Sequence, residues 1–223
     1  MPVVSRLTHL VLVLAGLAAV STAAADEVRL TADLPEARFS LNGQDFVIRR
    51  PTDPTSKLSG EFTKTARACP PFCIQPMVPI TGVTPVAELE VIRFLQDRVA
   101  GGQGALIDAR LPEWFAKGSI PGAVNLPFAT LSAENPFRND ILVALGARPL
   151  GGSNFDFSAA LELVLFCNGA WSDQSLRAID ALVALGYPVD RLHWYRGGMQ
   201  DWQMLGLTVA RDQSLAQAGG GAP

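Results

Sequence analysis

Leu161-Glu162-Leu163-Val164-Leu165-Phe166, followed at once by Cys167 and then by Asn168-Gly169-Ala170-Trp171-Ser172-Asp173, is the stretch on which the fold turns. The apolar run is too short for an ordinary helix and suits a strand buried on both faces. Beyond the polar segment, Gln174 to Leu185 carries Leu176, Ile179, Leu182 and Val183 at helical spacing and stops at Gly186. Strand, loop and helix in that order are the repeating unit of a parallel α/β sheet. In such sheets, sites form beyond the carboxyl ends of the strands, where Cys167 stands.

The same alternation extends to either side. Ala105 to Asp108, Ala123 to Leu126 and Leu192 to Tyr195 are further strand candidates. Pro136 to Leu145 reads as a helix closed by Gly146, and a Gly197-Gly198 turn leads into a last short helix. Thr84-Pro85 predicts a helix start, with a hydroxyl cap and proline in the first turn. Val86, Leu89, Ile92, Leu95 and Val99 would form its apolar stripe and Gly101-Gly102 its end. The expected fold class is α/β, a parallel sheet with helices on both faces, spanning 84–208. Residues 26–83 read differently. Phe39 to Leu41, Asn42-Gly43 and Gln44 to Ile48 form a β-hairpin with a two-residue turn. The prolines that follow predict an extended arm laid along the larger body. The Gly- and Ala-rich tail, 209–223, is expected to be disordered.

The 223-residue chain is 48 % hydrophobic and 17 % charged, which excludes wholesale disorder. Its net charge of −3 and lack of a basic run exclude a phosphate-tracking nucleic-acid binder. Arg6 and His9 precede an unbroken apolar run, Leu10 to Val20, and then Ala23-Ala24-Ala25. That pattern predicts a secretory signal peptide over 1–25, cleaved after Ala25. The apolar run reaches only about 16 Å, against a hydrocarbon core of about 30 Å, so it is too short for an anchor. The mature protein is expected in the periplasm or outside the cell, with no stable membrane insertion. No cofactor and no metal site are expected.

Export gives the cysteines meaning. Cys69 and Cys73 lie in C-P-P-F-C. An oxidising compartment favours a structural disulfide between them; a redox pair stays open, and zinc is the weakest reading. Cys167 is then the leftover thiol. Amides of Asn168, Gly169, Ala170, Trp171, Ser172 and Asp173, together with the helix N-terminus, are expected to form a nest that holds an anion beside it. A thiolate in such a nest is a nucleophile. The alternative is an inert buried cysteine.

Four segments resemble the rhodanese domains, a family of sulfurtransferases. They are Leu106-Ile107-Asp108-Ala109-Arg110, Gly118-Ser119-Ile120-Pro121-Gly122-Ala123-Val124-Asn125-Leu126-Pro127, Val164-Leu165-Phe166-Cys167, and Leu192-His193-Trp194-Tyr195-Arg196-Gly197-Gly198 with Trp202. The resemblance implies that Cys167 takes a sulfane sulfur from a donor, holds it as a persulfide, and passes it to cyanide or a thiol, a partner protein being one possible source. Arg110 and Arg196 are candidates for steering an anionic donor, set against plain structural roles for both. Ser119 stands where the family usually has His. Ser175 lies eight residues after Cys167, against six in the usual small loop, so the loop looks lengthened. It also lacks Lys and Arg, which makes thiosulfate a poor expected donor and an organic or protein-bound persulfide a better one. A related phosphatase would need Arg at the sixth position after the cysteine, where this chain has Asp173. A non-catalytic sulfur carrier or protein-binding module remains an alternative. So does a thiol oxidoreductase in which Cys69 and Cys73 exchange with Cys167.

Overall fold

The computed structural model describes residues 28–152 and 154–211. The expected signal peptide and the tail beyond 211 lie outside the described residues. In chain order the strands are β1 (Ala37–Leu41), β2 (Gln44–Ile48), β3 (Thr84–Val86), β4 (Gly104–Asp108), β5 (Val124–Asn125), β6 (Arg148–Gly151), β7 (Asn154–Asp156), β8 (Glu162–Phe166) and β9 (Leu192–Tyr195). The α-helices are α1 (Glu88–Phe94), α2 (Pro112–Ala116), α3 (Arg138–Ala144), α4 (Gln174–Ala184) and α5 (Gly198–Met204).

Five strands form one parallel sheet in the order β3-β9-β8-β4-β5. β8 is central, and its alternate side chains feed two cores. Val164 and Phe166 join Val91, Ile92, Leu95, Met199 and Trp202 on one face. Leu163 and Leu165 join Leu142, Ile179, Leu182 and Trp194 on the other. Each such side chain, once fully buried, stabilises the fold by roughly 1.5–3 kcal/mol relative to exposure. The register sets Phe166 between Asp108 and Tyr195, so Cys167 leaves the middle of the sheet at its carboxyl edge.

The hairpin forms as expected, with Asn42 at φ 52° and Gly43 at φ 79°. It is more than an appendage: Ala37, Phe39, Phe46 and Ile48 are buried in the same core as α1 and Trp202. Gly60–Thr63 makes one 3-10 turn, and Phe62 packs against Trp114, ring centroids 6.2 Å apart. Cys69 and Cys73 are joined by a disulfide that closes a short loop around Phe72. Replacing both by Ser is expected to lower stability by about 2 kcal/mol through loop-closure entropy, read as a shift in the denaturant midpoint. Loss of activity without loss of stability would instead mark the pair as redox-active.

Two expectations are corrected. Thr84-Pro85 begins a strand rather than a helix, pairing with His193 and Trp194 on β9. Proline is tolerated there because β3 is an edge strand. Helix α1 starts at Glu88, with the Glu90 carboxylate accepting from the Ala87 N–H at 3.2 Å. Ala210, assigned to the tail, is instead tied to the body: its N–H donates to Ser119 O at 2.9 Å, and the Ser119 N–H donates back at 2.8 Å. The β6–β7 hairpin and α2 are too short to show a period in the sequence and are not among the expected elements.

Candidate active site

The residue after β8 is held from below by α5. Met199 N–H donates to Cys167 O at 3.0 Å, and Gln200 N–H donates to Asn168 O at 2.9 Å. The approach demands glycine at 198. Its φ is 55°, and a Cβ there would stand 2.4 Å from the Cys167 carbonyl oxygen. The Gly197-Gly198 pair therefore fixes the floor under the cysteine.

Cys167 is 2 % exposed. Ser175, in the first turn of α4, donates its hydroxyl to Cys167 Sγ at 3.1 Å. The same oxygen accepts from Trp194 Nε1 at 3.0 Å. The indole occupies a lone pair of the serine, which leaves the hydroxyl hydrogen aimed at sulfur. The thiol in turn donates to Ser172 O at 3.4 Å. The expected nest of loop amides makes no hydrogen bond to the sulfur: among the described residues, its partners are a hydroxyl and a carbonyl. The N–H groups of Gly169, Ala170, Trp171, Asp173 and Gln174 have no acceptor among the described residues.

Above the loop lies a cavity of about 340 Å³. Asn168, Trp171, Ser172, Asp173 and Gln174 line it from the loop, and Leu111, Trp114, Phe128 and Arg177 from the rest of the α/β domain. The remaining wall is the N-terminal arm. Asp173 occupies the N-cap position of α4 without a capping hydrogen bond from its side chain, which borders the cavity instead. Trp171 both packs on the core and faces the cavity, its indole N–H donating to Gln200 Oε1. Gly169 and Ala170 do not line it; the Ala170 carbonyl accepts from Gln75 N–H at 2.8 Å.

Neither arginine proposed for steering reaches the cavity. Arg110 is 1 % exposed and clamps Asp108, with Nη2 2.6 Å from Oδ2 and Nε 2.8 Å from Oδ1. Its Nη2 also donates to Gly118 O at 2.8 Å, and Ser119 Oγ donates to Asp108 Oδ2 at 2.6 Å. The serine that replaces the expected histidine therefore completes a buried structural network. Arg196 donates from Nε and Nη2 to Gln75 O, at 3.0 and 2.9 Å, and so pins the arm. Beside it, burial and then the Glu88 charge raise the Asp201 carboxyl above its usual range, with Arg196 opposing. Burial and the same glutamate also raise Tyr195, which stays a protonated donor to Glu88 Oε1 at 2.8 Å. No group of three His, Cys, Asp or Glu side chains among the described residues is placed to hold a metal.

Sequence reasoning missed Trp194 and undervalued Ser175, used only to measure loop length. The signal for the pair lay in the register: Trp194 stands opposite Leu165 on the strand beside β8.

Residues 92–205 match the rhodanese-like domain family. An HTH-type transcriptional regulator of Mycobacterium tuberculosis is 30 % identical over 112 residues, which are 50 % of this chain and 40 % of the regulator. The chain thus spans well under half the length of that curated relative. Among solved structures, a human single-domain sulfurtransferase, TSTD1, is 25 % identical with a TM-score of 0.36, covering 54 % of this chain and 96 % of that one. A rhodanese from E. coli solved with anions is 22 % identical with a TM-score of 0.32, covering 49 % and 99 %.

Proposed function

The chain belongs to the rhodanese-like domain family, and from that premise we propose an exported sulfurtransferase that carries a sulfane sulfur as a persulfide on Cys167. The observation that carries this reading is the sulfur's setting. An unpaired cysteine stands at the carboxyl end of the central strand, with a hydroxyl hydrogen aimed at it and acceptor-free amides in the adjoining loop.

The chemistry balances without a redox partner. Cys167, as thiolate, attacks the outer sulfur of a donor R–S–SH. The donor S–S bond breaks, its electron pair leaves on R–S⁻, and the proton given up by Cys167 completes R–SH. Cys167 is left as Cys–S–SH. Cyanide or a thiolate then attacks that outer sulfur, leaving as thiocyanate or a new persulfide and restoring the cysteine. Ser172's carbonyl holds the thiol hydrogen and has to give way before the sulfur reacts. Ser175 supplies the hydrogen bond that remains. Ser175→Ala is expected to lower turnover roughly 10–100-fold, the worth of a hydrogen bond to a charged group. Trp194→Phe is expected to cost less, because the serine keeps its hydroxyl and loses only its orientation. Steady-state kinetics of both variants check the order.

The 2 % exposure of Cys167 favours a second reading, a sulfur carrier or binding module that does not turn over. Exposure to several sulfane donors separates the two. Loading of Cys167 with turnover to thiocyanate supports the enzyme; stable loading without turnover supports the carrier. Export is tested separately, by N-terminal sequencing of the chain recovered from the periplasm or medium, which is expected to begin at Asp26.

A further inference from the structure

The catalytic loop carries no Lys or Arg, yet the cavity over it is not without cations. Lys64 and Arg67 reach it from the N-terminal arm and Arg177 from α4, against the carboxylates of Glu61 and Asp173. Among the described residues, none of the three cations is in an ion pair. Arg67 is fixed rather than loose. Its guanidinium lies 3.8 Å from the centroid of Trp171, and its amines donate to Lys64 O and, at 3.2 Å, to Glu61 O. Phe72, inside the disulfide loop, meets Trp171 edge-on at 5.7 Å.

Asn168 and Gln174 also line the cavity, but Asn168 Oδ1 and Gln174 Oε1 are themselves buried, so a ligand in the cavity meets other atoms of these residues. The walls also offer Phe62, Phe72, Trp114 and Phe128. A cavity of about 340 Å³ takes a small molecule.

Resting on the reading of Cys167 as the sulfur carrier, we propose that the arm completes the donor site, and that the donor is a small organic persulfide that carries a carboxylate. Arg67, with Lys64, holds that carboxylate. The arm is thus a specificity element, held in place by Arg196, Gln75 and the Cys69–Cys73 disulfide.

The test uses the full disulfide-bonded chain with glutathione persulfide and with inorganic hydrogen disulfide as donors. Arg67→Gln is expected to raise KM for glutathione persulfide roughly tenfold, the worth of one charge-assisted hydrogen bond, with kcat little changed. The preference for glutathione persulfide over hydrogen disulfide falls by the same factor. Lys64→Gln, an exposed change with no packing consequence, is expected to move KM in the same direction by less. If both variants keep the wild-type KM while the wild type turns over, the arm proposal fails and the Cys167 reading stands. If neither donor loads Cys167 in the wild type, the Cys167 reading itself fails and takes the arm proposal with it.

Discussion

Cys167→Ser is expected to abolish sulfur transfer, a fall on the order of 10³-fold or more to the assay background, while the protein stays folded. The substitution exchanges one atom for a smaller one and leaves Ser175 a partner, so the site does not collapse. What disappears is the atom that forms the S–S bond; a serine alkoxide has no persulfide to offer. Steady-state turnover from persulfide to cyanide, read beside a denaturation curve, checks both halves. Retained turnover in a folded Cys167→Ser protein would move the chemistry elsewhere, and the Cys69–Cys73 pair would become the first place to look.

The second large effect is on stability. Arg110→Met is expected to cost about 3–5 kcal/mol, because it leaves the Asp108 carboxylate buried without its counter-ion. Asp108 is fully buried, and its remaining partners include the Ser119 hydroxyl at 2.6 Å. Removing both charges, as Asp108→Leu with Arg110→Met, is expected to recover part of the loss, since an apolar pair needs no desolvation. The midpoint of urea unfolding measures each. A donor-binding role for Arg110 would instead show as a raised KM at unchanged stability.

The sheet was legible in the sequence where burial was two-sided. Leu163 to Phe166 has no polar position to confuse the reading, Leu192 to Tyr195 has only His193 among apolar and aromatic neighbours, and both strands lie as expected. The hairpin was legible because Asn42-Gly43 leaves the backbone few alternatives. Thr84-Pro85 misled because local capping chemistry competes with pairing to β9, and only the tertiary structure decides between them. The cysteine was legible from its place after β8. Its surroundings were not: Ser175 reaches it from α4, Trp194 reaches Ser175 from β9, and the spacing from Cys167 to Ser175 says nothing of a hydrogen bond between them. Arg110 and Arg196 looked available because a motif does not say what else a guanidinium touches. The arm read as an extended segment laid along the larger body, and nothing local in Arg67 or Phe72 says that they meet Trp171 across about a hundred residues of chain.

The most direct test is intact-mass and peptide mapping of the wild-type chain after brief exposure to glutathione persulfide under non-reducing conditions. One added sulfur atom is expected, located on the peptide that contains Cys167 and removed by cyanide. A chain that gains no sulfur, or gains it only at Cys69 or Cys73, would contradict the Cys167 reading.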